Sequence, residues 1–474
     1  MNGRERFREF VERLVAASAA ERALISLASL VLAVAIGTVI ILVSGRMTTC
    51  RRAAFVLATP TAVGVPGLFE VALPELFRVG FCFNPVTVYD RLFLGALGDP
   101  FSPGWDPLNG QFAVTLRETT VLVFTGLSVA LAFRAGIFNI GTQGQMVVGA
   151  LATALSVLWV APFFSGVVGT LVLVPFGLLV GALGGGLYGA IPGALKAYAD
   201  ANEVITTIML NFIATGVVLY LVSEVFKDPE SMANQTVPLP EYALFPVSLF
   251  GEQFGFSLVA GLLALVAVVA VYYLLERTPF GYDLRASGLQ PEAAEYGGVD
   301  AELTVVASLS LSGALGGIGG AVYVLMILGN FQTGVPAYGF DGITVAILAG
   351  NNPLGVTFAA FLFGVLKSGT TVVQFATGVP PELVGILRGL IILFVAMPEF
   401  FRLLGRRLVP PERGRPGEAA VAADGGRPQG AEGHGNDGGR DGSYGGRGDE
   451  VNGGGRGDGN GDGCERRSGG WADE

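Results

Sequence analysis

Apolar residues in this chain come in long unbroken runs rather than in alternation. The clearest cover residues 23–43, 119–133, 167–188, 204–222, 257–275, 303–328, 356–366 and 383–397. Several reach the length of about 20 residues that a helix needs to cross a bilayer core. Inside hydrocarbon a backbone can satisfy its polar groups only as a helix or a closed barrel. A barrel needs short segments that alternate apolar and polar positions. Leu, Ala, Val and Gly fill these runs continuously, which predicts an all-α polytopic transmembrane helix bundle. About ten spans follow when 340–349 is read as a half-length helix that returns at Gly350 to Gly355, with other short re-entrant or broken helices among the long ones.

Cationic residues orient this bundle. Arg4, Arg6, Arg8, Arg13 and Arg22 precede the first run, and Arg402, Arg406 and Arg407 follow the last. By the excess of basic residues in cytoplasmic loops, both termini are expected in the cytoplasm, with an even number of crossings. The first run is too long for a signal peptide and lacks a small-residue cleavage site, so it reads as a retained anchor. Arg134, Lys196, Arg277 and Arg285 mark further cytoplasmic loops. The expected organisation is a cytoplasmic segment 1–22, a first helix 23–45, an external segment 46–117, a membrane core 118–408 and a tail 409–474. Within 46–117 the apolar stretch 53–69 is broken by Pro60, Gly64, Pro66 and Gly67, and reads as re-entrant or surface-lying.

Composition sharpens the picture in two places. The chain is 51% hydrophobic and only 14% charged, so a soluble fold is excluded. The tail turns to Gly, Asp, Arg and Pro with almost no aliphatic residues, too little apolar area to offset the entropy of ordering, and is expected to be disordered. From 411 to 474 eight arginines stand against thirteen Asp and Glu, so this net-acidic tail repels phosphate and no nucleic-acid partner is expected. Cys50, Cys82 and Cys464 have no metal-ligand or redox spacing, and His434 is the lone histidine. No metal or cofactor site and no catalytic residue is expected.

Gly184 to Gly189 formally matches a dinucleotide fingerprint, yet it lies inside a span without the strand that motif requires. Glycines 181, 185, 189 and 193, and the pairs 313 and 317, 316 and 320, recur every four residues, a spacing that lets helices approach closely. No lysine follows a glycine, so no phosphate-binding P-loop is present, and any ATP must be hydrolysed by another chain.

Three polar segments carry candidate chemistry. Residues 133–145, Phe-Arg-Ala-Gly-Ile-Phe-Asn-Ile-Gly-Thr-Gln-Gly-Gln, open directly into an apolar run. Unwound backbone at membrane depth persists only where protein or a water-filled cavity surrounds it. Asn139, Gln143 and Gln145 are therefore candidates for lining a solute path, against the reading of a satisfied cytoplasmic loop. Asn202 and Glu203 cap a helix start, and Asn211 two turns further needs either a neighbouring helix or a polar solute as its partner. Residues 285–298 form a short polar helix begun by Pro291 and ended by Gly297 or Gly298. Leu289, Ala293 and Tyr296 on one side of it invite docking, although a bland loop is the other reading.

Together these residues resemble the branched-chain amino acid, ribose and nucleoside class of ABC-importer permeases, closest to its nucleoside and simple-sugar branch. The resemblance covers roughly residues 84–404 and rests on 133–145, on Asn202 to Asn211, and on Phe340-Asp341-Gly342-Ile343 followed by Asn351-Asn352-Pro353-Leu354-Gly355. It implies a substrate path that includes Asn139, Gln143, Gln145, Asn211 and Asp341. It also implies an ATPase-coupling helix with Gly288, Pro291, Glu292, Ala293, Ala294 and Gly297. The implied partners are a second homologous permease subunit, cytoplasmic ABC ATPase subunits, an extracellular solute-binding protein and the lipid bilayer. That binding protein would meet the outer loops around 84–110, with Trp105 and Asp106 as contacts. The family commonly has Glu where this chain has Gln143, and neither 46–82 nor the tail matches its core.

The function so implied is ATP-driven import of nucleosides or related small polar solutes by alternating access, with simple sugars and branched-chain amino acids as further solutes. Uncharged amides would bind such a solute without burying net charge. An ion-coupled secondary transporter would need an intramembrane carboxylate or ion pair, for which Asp341 and Arg388 are the tempting pair. An enzyme would need a nucleophile and a base that the chain does not offer.

Overall fold

The computed structural model describes residues 19–396 except 59–61, 66–68, 73–77 and 248. The arginines at 4–13 and 402–407, His434, Cys464 and the expected disordered tail lie outside the described residues.

Helices dominate. In chain order they are α1 (Ala19–Met47), α2 (Pro85–Phe93), α3 (Gly110–Arg134), α4 (Thr142–Val160), α5 (Gly166–Ala199), α6 (Glu203–Tyr220) and α7 (Leu258–Arg277). After these come α8 (Pro279–Leu289), α9 (Pro291–Tyr296), α10 (Ala301–Val322), α11 (Tyr338–Leu348), α12 (Pro353–Thr377) and α13 (Pro381–Ala396). Short π-helical stretches extend α6 to Val225 and α10 to Leu328. Eight helices among the described residues are long and apolar enough to cross a membrane. At about 1.5 Å per residue, the 11-residue α11 covers only about half of a bilayer core. The expected half-length helix is thus present, and it spans Tyr338–Leu348.

The fold is not helical throughout, as the sequence pattern had predicted. Segment 46–117 carries four short strands, β1 (Phe55–Ala58), β2 (Ala62–Val65), β3 (Phe69–Ala72) and β4 (Arg78–Phe81). β1 pairs antiparallel with β4, Phe55 opposite Phe81, and β2 pairs antiparallel with β3. Gly64, one of the residues that broke the apolar pattern, lies within β2 opposite Glu70, while 60, 66 and 67 lie outside the described residues. A Cys50–Cys82 disulfide closes the base of this unit. Nothing in the cysteine spacing had foretold the pairing, because β-pairing across an intervening loop brings the two together. Closing a loop of 32 residues stabilises the segment by about 3–4 kcal/mol. Denatured protein treated with iodoacetamide should take up one alkyl group without reductant and three after reduction, read by intact mass. Uptake of three without reductant would show the bridge to be absent.

The boundary expected at 117/118 falls inside α3, which begins at Gly110 behind Asn109. The Asn109 side chain accepts from the Phe112 amide at 2.9 Å and caps the helix. Glu118 is buried within the helix, and the Arg117 side chain beside it is 24% exposed.

α3 and α10 are the centre of the bundle. Over their most apolar windows 83% and 72% of residues are buried, against 22% for α1 and α6. α4, α5 and α12 surround them, and α11 lies against α3 and α4. A second cluster gathers α1, α2 and α13 on one side of α12 through Ile41, Leu92, Leu366 and Leu387. α5 and α10 approach backbone to backbone. A Cβ on Gly185 would fall 2.7 Å from the Cα of Gly317, and Cβ atoms on Gly313 and Gly317 would land on the carbonyl oxygens of Gly185 and Gly181. The four-residue glycine repeat therefore packs helix on helix, as its spacing predicted.

Candidate functional site

α3 stops at Arg134, and the chain runs without helical bonds through 135–141 before α4 begins. Gly136 makes this break possible: its φ of +71° is a left-handed conformation that side-chain-bearing residues avoid. The break leaves the start of α4 with no cap of its own, since Gly141 at that position offers no side chain. Asn211 of α6 supplies one. Its Oδ1 accepts from the Gly144 amide at 2.8 Å, and its Nδ2 donates to the Ile140 carbonyl at 2.9 Å.

The other amides of the segment work in the same way. Asn139 is fully buried; its Oδ1 accepts from the Gly141 amide at 2.9 Å, and its Nδ2 donates to Gln145 Oε1 at 3.0 Å and Ser312 Oγ at 2.7 Å. Ser312 Oγ in turn donates to the Ser128 carbonyl at 2.6 Å, so Asn139 joins the break to both central helices. Gln143 Oε1 accepts from the Gly339 amide at 2.8 Å and caps α11, which has no side-chain cap from Ala337. Its Nε2 donates to the Pro336 carbonyl at 3.1 Å. An ionised glutamate at 143 could accept from Gly339 but could not donate to Pro336, so the residue in which this chain departs from the family pattern has a structural task that only the amide performs.

The structure thus brings Asn139, Gln143, Gln145 and Asn211 together around one break, each engaged by protein. Gln143 borders a cavity of about 230 Å³, bounded by Val147, Thr215, Val218, Phe331 and Thr333 between α4, α6 and the loop before α11.

Asp341 stands apart on the first turn of α11. The sequence paired it with Arg388 as a tempting ion pair; its partner is instead Lys367 of α12, Nζ to Oδ2 at 3.0 Å. Helix packing, which the sequence does not show, puts α12 rather than α13 beside that turn. Lys367 also stacks over the Tyr338 ring at 3.5 Å, and the Tyr338 hydroxyl donates to Glu118 Oε2 at 2.6 Å. Glu118 Oε1 is bound by Arg117 at 3.1 Å. A chain of charges, Arg117, Glu118, Tyr338, Lys367 and Asp341, therefore fastens the N-terminus of α11 to α3 and α12. Sequence reasoning missed Glu118 and Lys367, although a lone charge well inside an apolar helix was a signal that could have found them.

At the opposite end of the bundle the polar segment after α7 folds into two short helices. Thr278 caps α8, its Oγ1 accepting from the Gly281 amide at 3.1 Å, and Pro279 and Pro291 open α8 and α9. Gly297 ends α9, and Gly298 turns away at φ +87°. Pro291, Glu292, Ala293 and Gly297 are exposed, with Leu289 and Tyr296 at 88% and 96%, whereas Ala294 is buried and Gly288 lies partly under the core. On the loop before α3, Trp105 and Asp106 shape the turn: the Trp105 indole donates to the Leu97 carbonyl and Asp106 Oδ1 accepts from the Leu108 amide.

Residues 112–396 match the family model described as branched-chain amino acid transport system / permease component. Among curated relatives, the nucleoside ABC transporter permease protein NupB of Lactococcus lactis subsp. cremoris is 35% identical over 337 residues, 70% of this chain and 88% of its own. The guanosine ABC transporter permease protein NupP of Bacillus subtilis is 35% identical over 336 residues, 69% of this chain and 90% of its own. The glucose ABC transporter permease protein TsgB13 of Haloferax volcanii is 32% identical over 362 residues, 73% of this chain and 87% of its own. No solved structure matches. The matched region contains the broken segment, the two glycine-packed helices, the capped half-helix and the α8–α9 pair, and the chain therefore belongs to the permease-component family of branched-chain amino acid transport systems, as a multi-pass membrane transport subunit rather than an enzyme.

Proposed function

We propose that this chain is one of two related permeases of an ATP-driven importer for nucleosides, with the α8–α9 pair as the element that docks on a cytoplasmic ATPase. The observation that carries this reading is the α8–α9 pair itself. Two proline-started helices project between α7 and α10, with Leu289, Ala293 and Tyr296 in solvent where nothing of the described chain covers them. Apolar side chains held out on a capped helix favour a protein partner. The nucleoside and guanosine relatives support the solute class, and the glucose relative supports simple sugars as the second reading. Two nucleoside permeases of Lactococcus and two guanosine permeases of Bacillus each resemble this chain, which supports pairing with a second permease.

In this reading both termini are cytoplasmic and about ten crossings are made, the eight long helices plus α11 and α13. Segment 48–109 lies outside, where oxidising conditions allow the Cys50–Cys82 bridge to persist, and a solute-binding protein delivers cargo near Trp105 and Asp106. Closure of the ATPases pushes Gly288 to Gly297, and the path past Gln143 and its neighbouring amides, with Asp341 in its supporting shell, changes its access.

The test is to purify the chain from its native membrane in mild detergent and identify its companions, before and after E292W together with G297W. Glu292 and Gly297 are both exposed and Gly297 has φ −78°, which a side-chain-bearing residue adopts freely; a Cβ there meets the Ala294 carbonyl at a tight 3.2 Å, which a shift of a few tenths of an ångström relieves. Recovery of an ATPase and a second permease, with the ATPase lost in the double variant, is the expected result. A wild-type chain that purifies alone and still transports solute down an ion gradient would sink the proposal.

A further inference from the structure

The core grips α8 at two points. Near the end of α8, Gly288 packs backbone to backbone on the break after α3. A Cβ on Gly136 would lie 2.7 Å from the Gly288 carbonyl oxygen, and one on Gly288 would lie 2.6 Å from the Ala135 carbonyl carbon. Such a contact has no slack, because backbone cannot swing aside as a side chain can. The second point is electrostatic. Glu276, in the last turn of α7, accepts from Arg285 of α8 on Oε2 at 2.9 Å and from Arg134, the last residue of α3, on Oε1 at 3.5 Å. Arg134 then donates through Nε to the carbonyl of Asn351 at 2.9 Å. Asn351 sits at φ +57° in the turn just after α11.

α11 is consequently held at both ends by residues of one segment: its C-terminal turn by Arg134, and its N-terminus by Gln143 through the Gly339 amide. Both holding residues flank the break at 135–141, and that break touches α8 at Gly288. We propose that Glu276 is a positioning residue that transmits displacement of α8 and α9 to the break, and through Arg134 to α11, so that a push on the exposed helices moves the half-helix and the wall of the Gln143 cavity together. This rests on the reading of α8 and α9 as the ATPase-facing element.

A stabilising role accounts for Glu276 poorly. Its side chain and that of Arg134 are 28% exposed and that of Arg285 32%, and both arginines stand on the rim of an open cavity of about 610 Å³. Water and salt screen pairs at such a rim, and they add little to folding. What the carboxylate does provide is geometry: with one oxygen on each arginine it adds a directional polar tie between α8 and the end of α3, beside the backbone contacts of Gly281 on α7 and of Gly288 on the break. Arg285 also has a second, weaker hold on its own helix at the Gly281 carbonyl, which keeps its guanidinium in place for Glu276.

The test uses the native assembly, purified in mild detergent and placed in liposomes, with E276A, E276Q and E276D beside wild type. ATP hydrolysis is measured together with uptake of tritiated guanosine and of glucose. A bimane fluorophore on T333C, in a C464S background and at the Gln143 cavity, reports ATP-driven movement without needing solute. Expected are variants that melt as wild type and keep their ATPase, with solute carried per ATP and the ATP-driven bimane change both reduced about tenfold in E276A and E276Q, and largely restored in E276D. A wild-type bimane response and transport ratio in E276Q would overturn the proposal. So would loss of folded chain or of ATPase in both E276A and E276Q, which would assign Glu276 to holding the fold. A wild-type chain that purifies without any ATPase would instead remove the docking reading, a result recognisable before any variant is made.

Discussion

Replacing Gly317 by leucine should remove folded protein from the detergent extract. A Cβ at this position would lie on the carbonyl oxygen of Gly181 and 3.0 Å from the Cα of Gly185, all of it backbone. Neither helix can give way locally. α5 continues for 34 residues, and α10 is held on its other side by α3 and α4. Separating the helices by the width of a side chain would also break the Thr153 bond to the Gly177 carbonyl at 2.9 Å and pull Ser312 from Ser128. Association in a membrane depends on close van der Waals packing, because lipid is as apolar as leucine. Overpacking usually costs about 1–3 kcal/mol where side chains can repack. With backbone on both sides the cost exceeds about 4 kcal/mol, the range of severe lesions. Fluorescence-detected size exclusion and thermal melting check it. Gly216→Leu, on an exposed position with nothing within 4 Å of its Cβ, is the control and should behave as wild type. A monodisperse Gly317→Leu protein with unchanged melting would refute the packing account.

Glu118→Ala should be the most damaging polar substitution. The carboxylate is buried, with one oxygen taken by Tyr338 and the other by Arg117. Removing it leaves a guanidinium and a phenol without their partner inside the bundle, and breaking a buried pair from one side costs about 3–5 kcal/mol. Glu118→Gln should cost less, about 1–3 kcal/mol, because the amide still accepts from Tyr338 while losing the charge that faces Arg117. Tyr338→Phe should fall in the same lower range. Since Glu118 and Tyr338 share a bond, the double variant Glu118→Ala with Tyr338→Phe should cost less than the two singles added. Unfolding in mixed sodium dodecyl sulfate micelles measures each difference. Strict additivity would mean that the bond does not fasten α11 to α3 as described.

The break at 135–141 was legible because Gly, Asn and Gln clustered where an apolar helix should have continued, and the pairing of glycine faces was legible because their spacing equals a helical turn. The Asn211 amide was legible only as a need for some partner. That its partners would be the Gly144 amide and the Ile140 carbonyl depended on α6 lying across the start of α4. Asp341 was recognised and set beside Arg388 rather than Lys367, since both cations lie more than a helix length away along the chain and only packing selects between them. Arg117 was placed in the external segment, and Glu118 was missed, because polarity alone does not separate an exposed loop from a buried network.

The sequence by itself determined the environment and the element type of this protein, because the length of an apolar run and the four-residue recurrence of glycine are local properties that a bilayer and a helix read directly. It also determined where the backbone must leave helical form. Only the tertiary structure decided what the polar groups at those places do. A buried amide or carboxylate is satisfied by whichever backbone or charge faces it, and that depends on the crossing of helices far apart in the chain, as it does for Asn139 with Ser312 and for Glu118 with Tyr338. For the same reason the strands and the Cys50–Cys82 bridge of segment 46–117 emerged only in three dimensions. Their pairing joins residues whose separation along the chain carries no periodic signal.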